Sequence, residues 1–267
     1  GMIVAAGSDS QKKELLPQVA AGELLLALAI DETNHHNPAN IAMTVARDGD
    51  AFVLSGEKKF VIDGHIANKL IVAARTSGEP GDTQGISAFL IDADTPGVTI
   101  TRTQMVDTRN AANISFDAVK VPANTLLGGA DAAYPELENV LDMGRVCLSA
   151  EMLGGIETVF DTTLTYLKER KQFEAIIGTF QALQHRAAEM FCEVEICQSV
   201  VLDALSALEE RRNDIPRAAS LAKARLSEAS RLITNEGVQM HGGIGMTDAV
   251  DVGLFLKRAR VQAQMLG

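Results

Sequence analysis

Tryptophan is absent, tyrosine occurs twice and aromatic residues make up only 4% of the chain. A platform for single-stranded nucleic acid interleaves aromatics with cations, and cations are also scarce. Lys and Arg number 24 against 35 Asp and Glu, a formal net charge of −11. Phosphate backbones and anionic membranes require a positive field, so neither is an expected partner. Cysteines number 3 (Cys147, Cys192 and Cys197), each in apolar helical sequence. That pattern excludes a disulfide scaffold and reads as buried thiols in a reducing compartment, the cytoplasm. No apolar run is long and charge-free enough to span a bilayer. The start shows no basic segment followed by an apolar one, so no secretory leader is expected.

What is present suits a globular protein: 267 residues, 46% hydrophobic and 22% charged, enough to bury a core. The chain changes character along its length. Residues 8–22 read as a short helix capped by Ser8 or Asp9 and ended by Gly22. Residues 24–122 read as many short strands. Ile41–Ala46 and Phe52–Leu54 flank the hairpin signal Arg47-Asp48-Gly49-Asp50. Further apolar runs are broken by Gly56, Asp63-Gly64 and Thr95-Pro96-Gly97. With no helical pattern between them, these strands predict an antiparallel β-barrel or sandwich. From residue 135 the period becomes helical. A second helix spans about 179–210. A third starts at Asn213-Asp214 before Pro216 and ends near His241-Gly242, and a fourth is capped by Thr247 or Asp248. The fold class is α+β: a helical stub (1–23), a β domain (24–127) and a four-helix bundle (128–267).

Two clusters could hold an anion. Arg170-Lys171-Gln172-Phe173 ends a helix, with Gln181 and His185 on the next. A guanidinium beside amides can grip phosphate in a forked bond, although cations also end helices routinely. Gln239-Met240-His241-Gly242-Gly243-Ile244-Gly245 offers bare backbone N–H groups, as phosphate and flavin sites need; it also reads as a plain C-cap and turn. It is neither a Walker loop nor a Rossmann fingerprint, because it joins helix to helix. His35-His36 has no Cys or acidic ligand at metal-site spacing apart from Asp31 and Glu32 just upstream, and reads as a solvated loop pair. No Gly-x-Ser-x-Gly elbow is present, and no metal site is expected.

The order of four segments resembles the acyl-CoA dehydrogenase family of flavoproteins. GSDSQKKELLPQVAAGELLLALAIDE is similar to its passage into the β domain, and GEKKFVIDGHIANKLIVAAR to its strand-turn-strand beside the flavin. RKQFEAIIGTFQALQHRAAEM and QMHGGIGMTDAVDVGLFLKRARV resemble its most specific signatures. The resemblance implies FAD, with most of an N-terminal helical domain missing from this chain. Leu28, Ile30 and Asp31, with Phe60, Val61 and Ile62, are implied to border the isoalloxazine ring. Gln239, Met240, His241, Gly242 and Gly243 are implied to pack on the adenosine diphosphate. Arg170, Gln172, Phe173 and Gln181 are implied to reach a neighbouring subunit's FAD. The implied reaction is α,β-dehydrogenation of an acyl-CoA, with hydride passing to flavin N5 in a homodimer or tetramer. An electron-transfer protein is the implied acceptor.

The pattern departs where the base belongs. The family's Glu position falls on Leu266, and the alternative position, before Arg145, falls on Gly144. Asp31 stands where Thr is common, and Ile62 where a hydroxyl donates to the flavin. Asp31 is therefore the first candidate for a relocated base and Glu151 the second, the latter reading more simply as a charge between helices. Two other readings stay open: a non-catalytic FAD-binding subunit beside a paralogous partner, and a flavin fold with another activity or none.

Overall fold

The computed structural model describes residues 1–267. Contacts divide them into two compact units, residues 1–140 with Gly267, and residues 141–266. The first unit opens with α1 (Met2–Ala6) and α2 (Asp9–Ala21). Ser8 and Gln11 form a reciprocal capping box at the start of α2, and Gly22 ends it in the left-handed conformation at φ 73°. The cap and stop read from the sequence are thus the ones used.

The sheet comprises β1 (Leu26–Ala29), β2 (Thr44–Asp48), β3 (Ala51–Ile62), β4 (Lys69–Arg75), β5 (Ile86–Asp92), β6 (Val98–Thr103), β7 (Ala111–Pro122) and β8 (Leu126–Leu127). Its path runs β6-β7-β3-β2-β4-β5-β8, with β1 added beside β4. The strands are mostly antiparallel, as expected, and the β2–β3 hairpin turns at Gly49. The sheet does not close into a barrel. Closure needs a ladder between the end strands, and β8 is a two-residue strand paired only with Ala88 and Phe89. β1 and β2 each meet β4 in parallel, which alternation of apolar residues does not reveal. Leu54, Leu70, Val72, Phe89 and Ile114 fill the buried face.

Two strands are longer than the sequence suggested. Phe52–Leu54 and Lys59–Ile62 lie on the single strand β3, and Ile114–Phe116 and Val119–Val121 on β7. The β3–β7 register slips between Leu54 and Gly56 and again between Lys58 and Val61. Phe60 and Ala118, at φ 50° and 48°, mark the irregular places. Such bulges interrupt the period-two pattern without ending the strand.

The second unit carries most of α3 (Tyr134–Glu169), then β9 (Lys171–Gln172), β10 (Ala175–Ile176), α4 (Gln181–Glu209), α5 (Ile215–His241) and α6 (Val252–Gln264). Met152, Ile156 and Val159 of α3 recur at helical spacing. They pack with Met190, Val194, Cys197 and Val201 of α4 and with Leu226, Ile233 and Met240 of α5. At Gly237 a Cβ would stand 2.5 Å from Val159, so only glycine lets α5 approach there. The α5 start follows the expected Asp214–Pro216 order. The α6 cap is Asp251, because Gly242–Met246 forms a 3₁₀ turn and Thr247 is extended. Of the thiols expected to be buried, only Cys197 is, pushed up to about 11 by that burial. Cys147 and Cys192 lie on outward faces of their helices.

Candidate functional site

In the β unit, the chain leaving β1 is pinned to β3. Lys59 N donates to the Asp31 carbonyl at 2.7 Å. Lys58 is fully buried, and its Nζ donates to the Ile30 carbonyl at 2.9 Å and to Glu32 Oε1 at 2.7 Å. Glu32 also accepts from Ala42 N and Met43 N. Burial pushes the Lys58 ammonium down to about 8, against the opposing pull of Glu32. Their separation of 26 residues hid this pair from the sequence. It fixes the strip proposed to border a flavin ring: Ile30 and Val61 are buried, Leu28 and Ile62 half-buried, and Phe60 exposed. The positive φ of Phe60 sits at the register slip, so the bulge re-aims that side chain outward.

Asp31 does not stand free. Its Oδ2 meets His36 Nδ1 at 2.9 Å, and its Oδ1 accepts from Asn37 N at 3.1 Å. The His36 side chain is 7% exposed, and its Nε2 is buried with no hydrogen-bond partner. His36 was read from the sequence only as half of a loop pair. No spacing rule marks an Asp–His pair five residues apart.

In the helical unit, Arg170 leads into a small hairpin. Ala175 pairs with Gln172 and Ile176 with Lys171. The turn residues Phe173 and Glu174 both hold positive φ, 55° and 63°, as a type I′ turn requires. Neither is the Asn or Gly that favours such a turn, so its chemistry was not legible. Phe173 is 88% exposed and meets Phe180 edge-on, with ring centroids 6.4 Å apart. Gln172 donates to its neighbour Lys171, and Gln181 opens α4 on the surface. Arg170 is exposed and has no acidic partner.

The glycine bend is built from beneath. His241 is buried, and its Nδ1 bonds the Gly237 carbonyl at 2.7 Å. Tyr166 stacks on the imidazole at 4.4 Å and its hydroxyl donates to the His241 carbonyl at 3.3 Å. Gly242 leaves the helix at φ 64° and ψ −140°, close to a region reserved for glycine. A Cβ on Gly242 or Gly243 would meet nothing within 4 Å. Of the five residues singled out here, Met240 and His241 face the core, while Gln239, Gly242 and Gly243 face out.

The two positions at which the resemblance implies a base, Gly144 and Leu266, lie together. A Cβ on Gly144 would be 3.0 Å from Leu266 Cδ1, and Arg145 Nε donates to the Leu266 carbonyl at 2.9 Å. Asp142 holds that guanidinium at 2.7 Å. Glu151 pairs with Arg258 at 2.9 Å, a charge joining α3 to α6.

The family model for the acyl-CoA dehydrogenase middle domain matches residues 27–119, and that for the C-terminal domain matches residues 136–267. The probable acyl-CoA dehydrogenase YngJ of Bacillus subtilis (strain 168) is 33% identical over 96% of this chain and 68% of its own. Subunit CarC of the caffeyl-CoA reductase-Etf complex of Acetobacterium woodii is 29% identical over 98% of this chain and 69% of its own. A solved FAD-dependent dehydrogenase superposes with a TM-score of 0.94 at 27% identity, covering 100% of this chain and 72% of that one. The chain spans 59–69% of the length of the curated relatives it matches. Two adjoining family models over most of the sequence, and relatives aligned nearly end to end with it, place this chain in the acyl-CoA dehydrogenase family.

Proposed function

We propose that this chain binds FAD and works in the α,β-dehydrogenation of an acyl-CoA thioester. The observation that carries the reading is the Gly242–Gly243 bend, held from below by His241 and Tyr166 and open above. A diphosphate needs close approach to N–H groups with no Cβ between, and this bend provides it. Gln239, Gly242 and Gly243 line the approach, while Met240 and His241 brace it from the core. Arg170, unpaired within its own chain, supplies a forked donor, with Gln172, Phe173 and Gln181 exposed along the same stretch. Leu28, Ile30, Phe60, Val61 and Ile62 give the ring an apolar border. The residues present therefore fit FAD.

FAD, when bound, supplies the acceptor for a hydride from the carbon β to the thioester carbonyl. The chain's part is to orient the substrate, exclude water and take the α-proton. That proton is weakly acidic in water, so the site has to be dry and the carbonyl polarised.

Phe173 at a hairpin tip is an aromatic anchor with no cover from its own chain. Such anchors concentrate at interfaces, and a second copy of the chain in a homodimer or tetramer is the proposed cover. An electron-transfer flavoprotein is the proposed acceptor, since the relative CarC is a subunit of a caffeyl-CoA reductase-Etf complex. No helix is long and apolar enough to cross a membrane, and the three free thiols accord with the cytoplasm.

Anaerobic addition of butyryl-CoA to the FAD-loaded protein tests the reading. Bleaching of the flavin colour by this chain alone supports it. Persistent colour with butyryl-CoA and with longer acyl-CoAs contradicts it, and bleaching only after a paralogous protein is added assigns the chemistry to that partner.

A further inference from the structure

We infer that His36 takes the α-proton from the acyl-CoA, with Asp31 as the residue that positions it; this rests on the dehydrogenation reading above. Three features of the structure converge on it. The Asp31 carboxylate accepts from His36 Nδ1 at 2.9 Å. That bond puts the ring hydrogen on Nδ1 and leaves a lone pair on Nε2, the form in which imidazole is a base. Nε2 is buried, and nothing in the chain donates to it. Buried nitrogens find partners as a rule, so an orphan on a side chain only 7% exposed marks a place for a ligand hydrogen. Gly267, which belongs to the same compact unit, lies against this ring. A Cβ built on Gly267 would stand 3.4 Å from His36 Cδ2, the carbon next to Nε2.

The other candidate groups are weaker. Leu266 and Gly144 carry no proton acceptor, and Glu151 is held by Arg258. Asp31 has both oxygens engaged, one by His36 and one by Asn37 N. It serves the imidazole, as the carboxylate of a catalytic triad orients its histidine. Nearby charge is settled separately, since Glu32 is neutralised by the buried Lys58.

In the step, Nε2 bonds to the α-hydrogen as the Cα–H bond breaks. The pair left on Cα becomes the Cα=Cβ bond as the β-hydrogen leaves with its electrons for the oxidised flavin. The proton stays on the imidazolium, and Asp31 balances its charge.

The test separates this inference from the reading beneath it. A 3-thia-acyl-CoA has an α-hydrogen but sulfur in place of the β-carbon, so no hydride can leave. The FAD-loaded protein in D2O is expected to exchange that α-hydrogen. His36→Gln is expected to slow exchange at least ~100-fold, the size of a general-base contribution, with flavin content unchanged. Asp31→Asn is expected to slow it by a comparable factor, because an amide holds the imidazole in the wrong tautomer, and Asp31→Glu to recover part of the loss. The loss of exchange in Asp31→Asn is expected to exceed any loss of flavin content, whereas a merely structural latch would lose both together and gain nothing from Asp31→Glu. Exchange by His36→Gln at the wild-type rate overturns the inference and leaves the dehydrogenase reading standing. A wild-type chain that neither holds FAD nor exchanges the hydrogen overturns both. If His36→Gln fails to fold, wild-type protein treated with 2-bromobutyryl-CoA decides. Nε2 then displaces bromide from Cα, and peptide mapping places the label. Label on His36 supports the inference; label elsewhere, or none, overturns it.

Discussion

Leu266 lies against Gly144: its Cδ1 is 3.0 Å from where a Cβ on that glycine would sit. The two positions at which the resemblance implies a base are thus one place in the folded unit. Both are non-acidic here, and the carbonyl of Leu266 is fastened by Arg145. A Gly144→Ala change sets two effects against each other. Removing glycine from the interior of α3 gains up to about 1 kcal/mol of helix propensity. The new methyl presses only on the flexible end of Leu266, which can yield. Differential scanning calorimetry is expected to show a melting temperature raised by about 2–4 °C, the scale of 1 kcal/mol for a chain this size. A fall of similar size means that Leu266 is rigidly packed.

Gly243 and Gly242 separate cofactor contact from chain stability. A Cβ on Gly243 meets nothing and the residue holds no positive φ. Gly243→Ala is therefore expected to leave apo-protein stability within about 0.5 kcal/mol, the usual range for an unconstrained surface change, while weakening FAD binding at least tenfold. Gly242→Ala adds backbone strain, about 1–3 kcal/mol at such a conformation. Urea unfolding of both apo variants checks the contrast.

Arg170→Ala removes a cation with no partner in its own chain. Stability of the subunit is expected to change by less than about 0.5 kcal/mol, whereas FAD affinity drops at least tenfold. Flavin fluorescence titration beside a thermal melt reads both quantities on one sample.

Lys58 gives stability a particular pH dependence. Its folded-state value is depressed to about 8 from 10.5, so between those values the unfolded chain holds a proton that the folded chain has lost. Unfolding free energy then rises with pH through that window. The charged, buried form is the burden, present below pH 8 and relieved above it. Wild type minus Lys58→Met is expected to shift in favour of wild type between pH 8 and 10.5, and to be flat below 8. A difference that falls with pH contradicts the depressed value. At pH 7 the variant itself is expected to lose about 3–5 kcal/mol, because Glu32 is left buried without its counter-ion.

The helices were legible because their signals are local. Ser8 as cap, Gly22 as stop, and Asp214 before Pro216 are signals within a turn; Ser8 accepts from Gln11 N and Gly22 ends α2, while Asp214 holds the N-cap position of α5 without a side-chain cap bond. The β unit was legible in class but not in closure or strand count. Bulges at Phe60 and Ala118 cut the alternation of β3 and β7 into pieces, and strand direction leaves no mark on a period-two pattern. The Gly242–Gly243 bend was visible as composition; the stacking of Tyr166 on His241 beneath it joins residues 75 apart and was not. The Asp31–His36 pair was hidden for another reason: a loop carries no period from which a side chain's direction can be inferred.

Equilibrium titration of the purified chain with FAD, read by quenching of flavin fluorescence, tests the central claim most directly. One FAD per chain, bound at micromolar or tighter concentration and lost together in Gly243→Ala and Arg170→Ala, is the predicted result. Fluorescence that stays that of free FAD, or binding that both variants retain in full, contradicts the account.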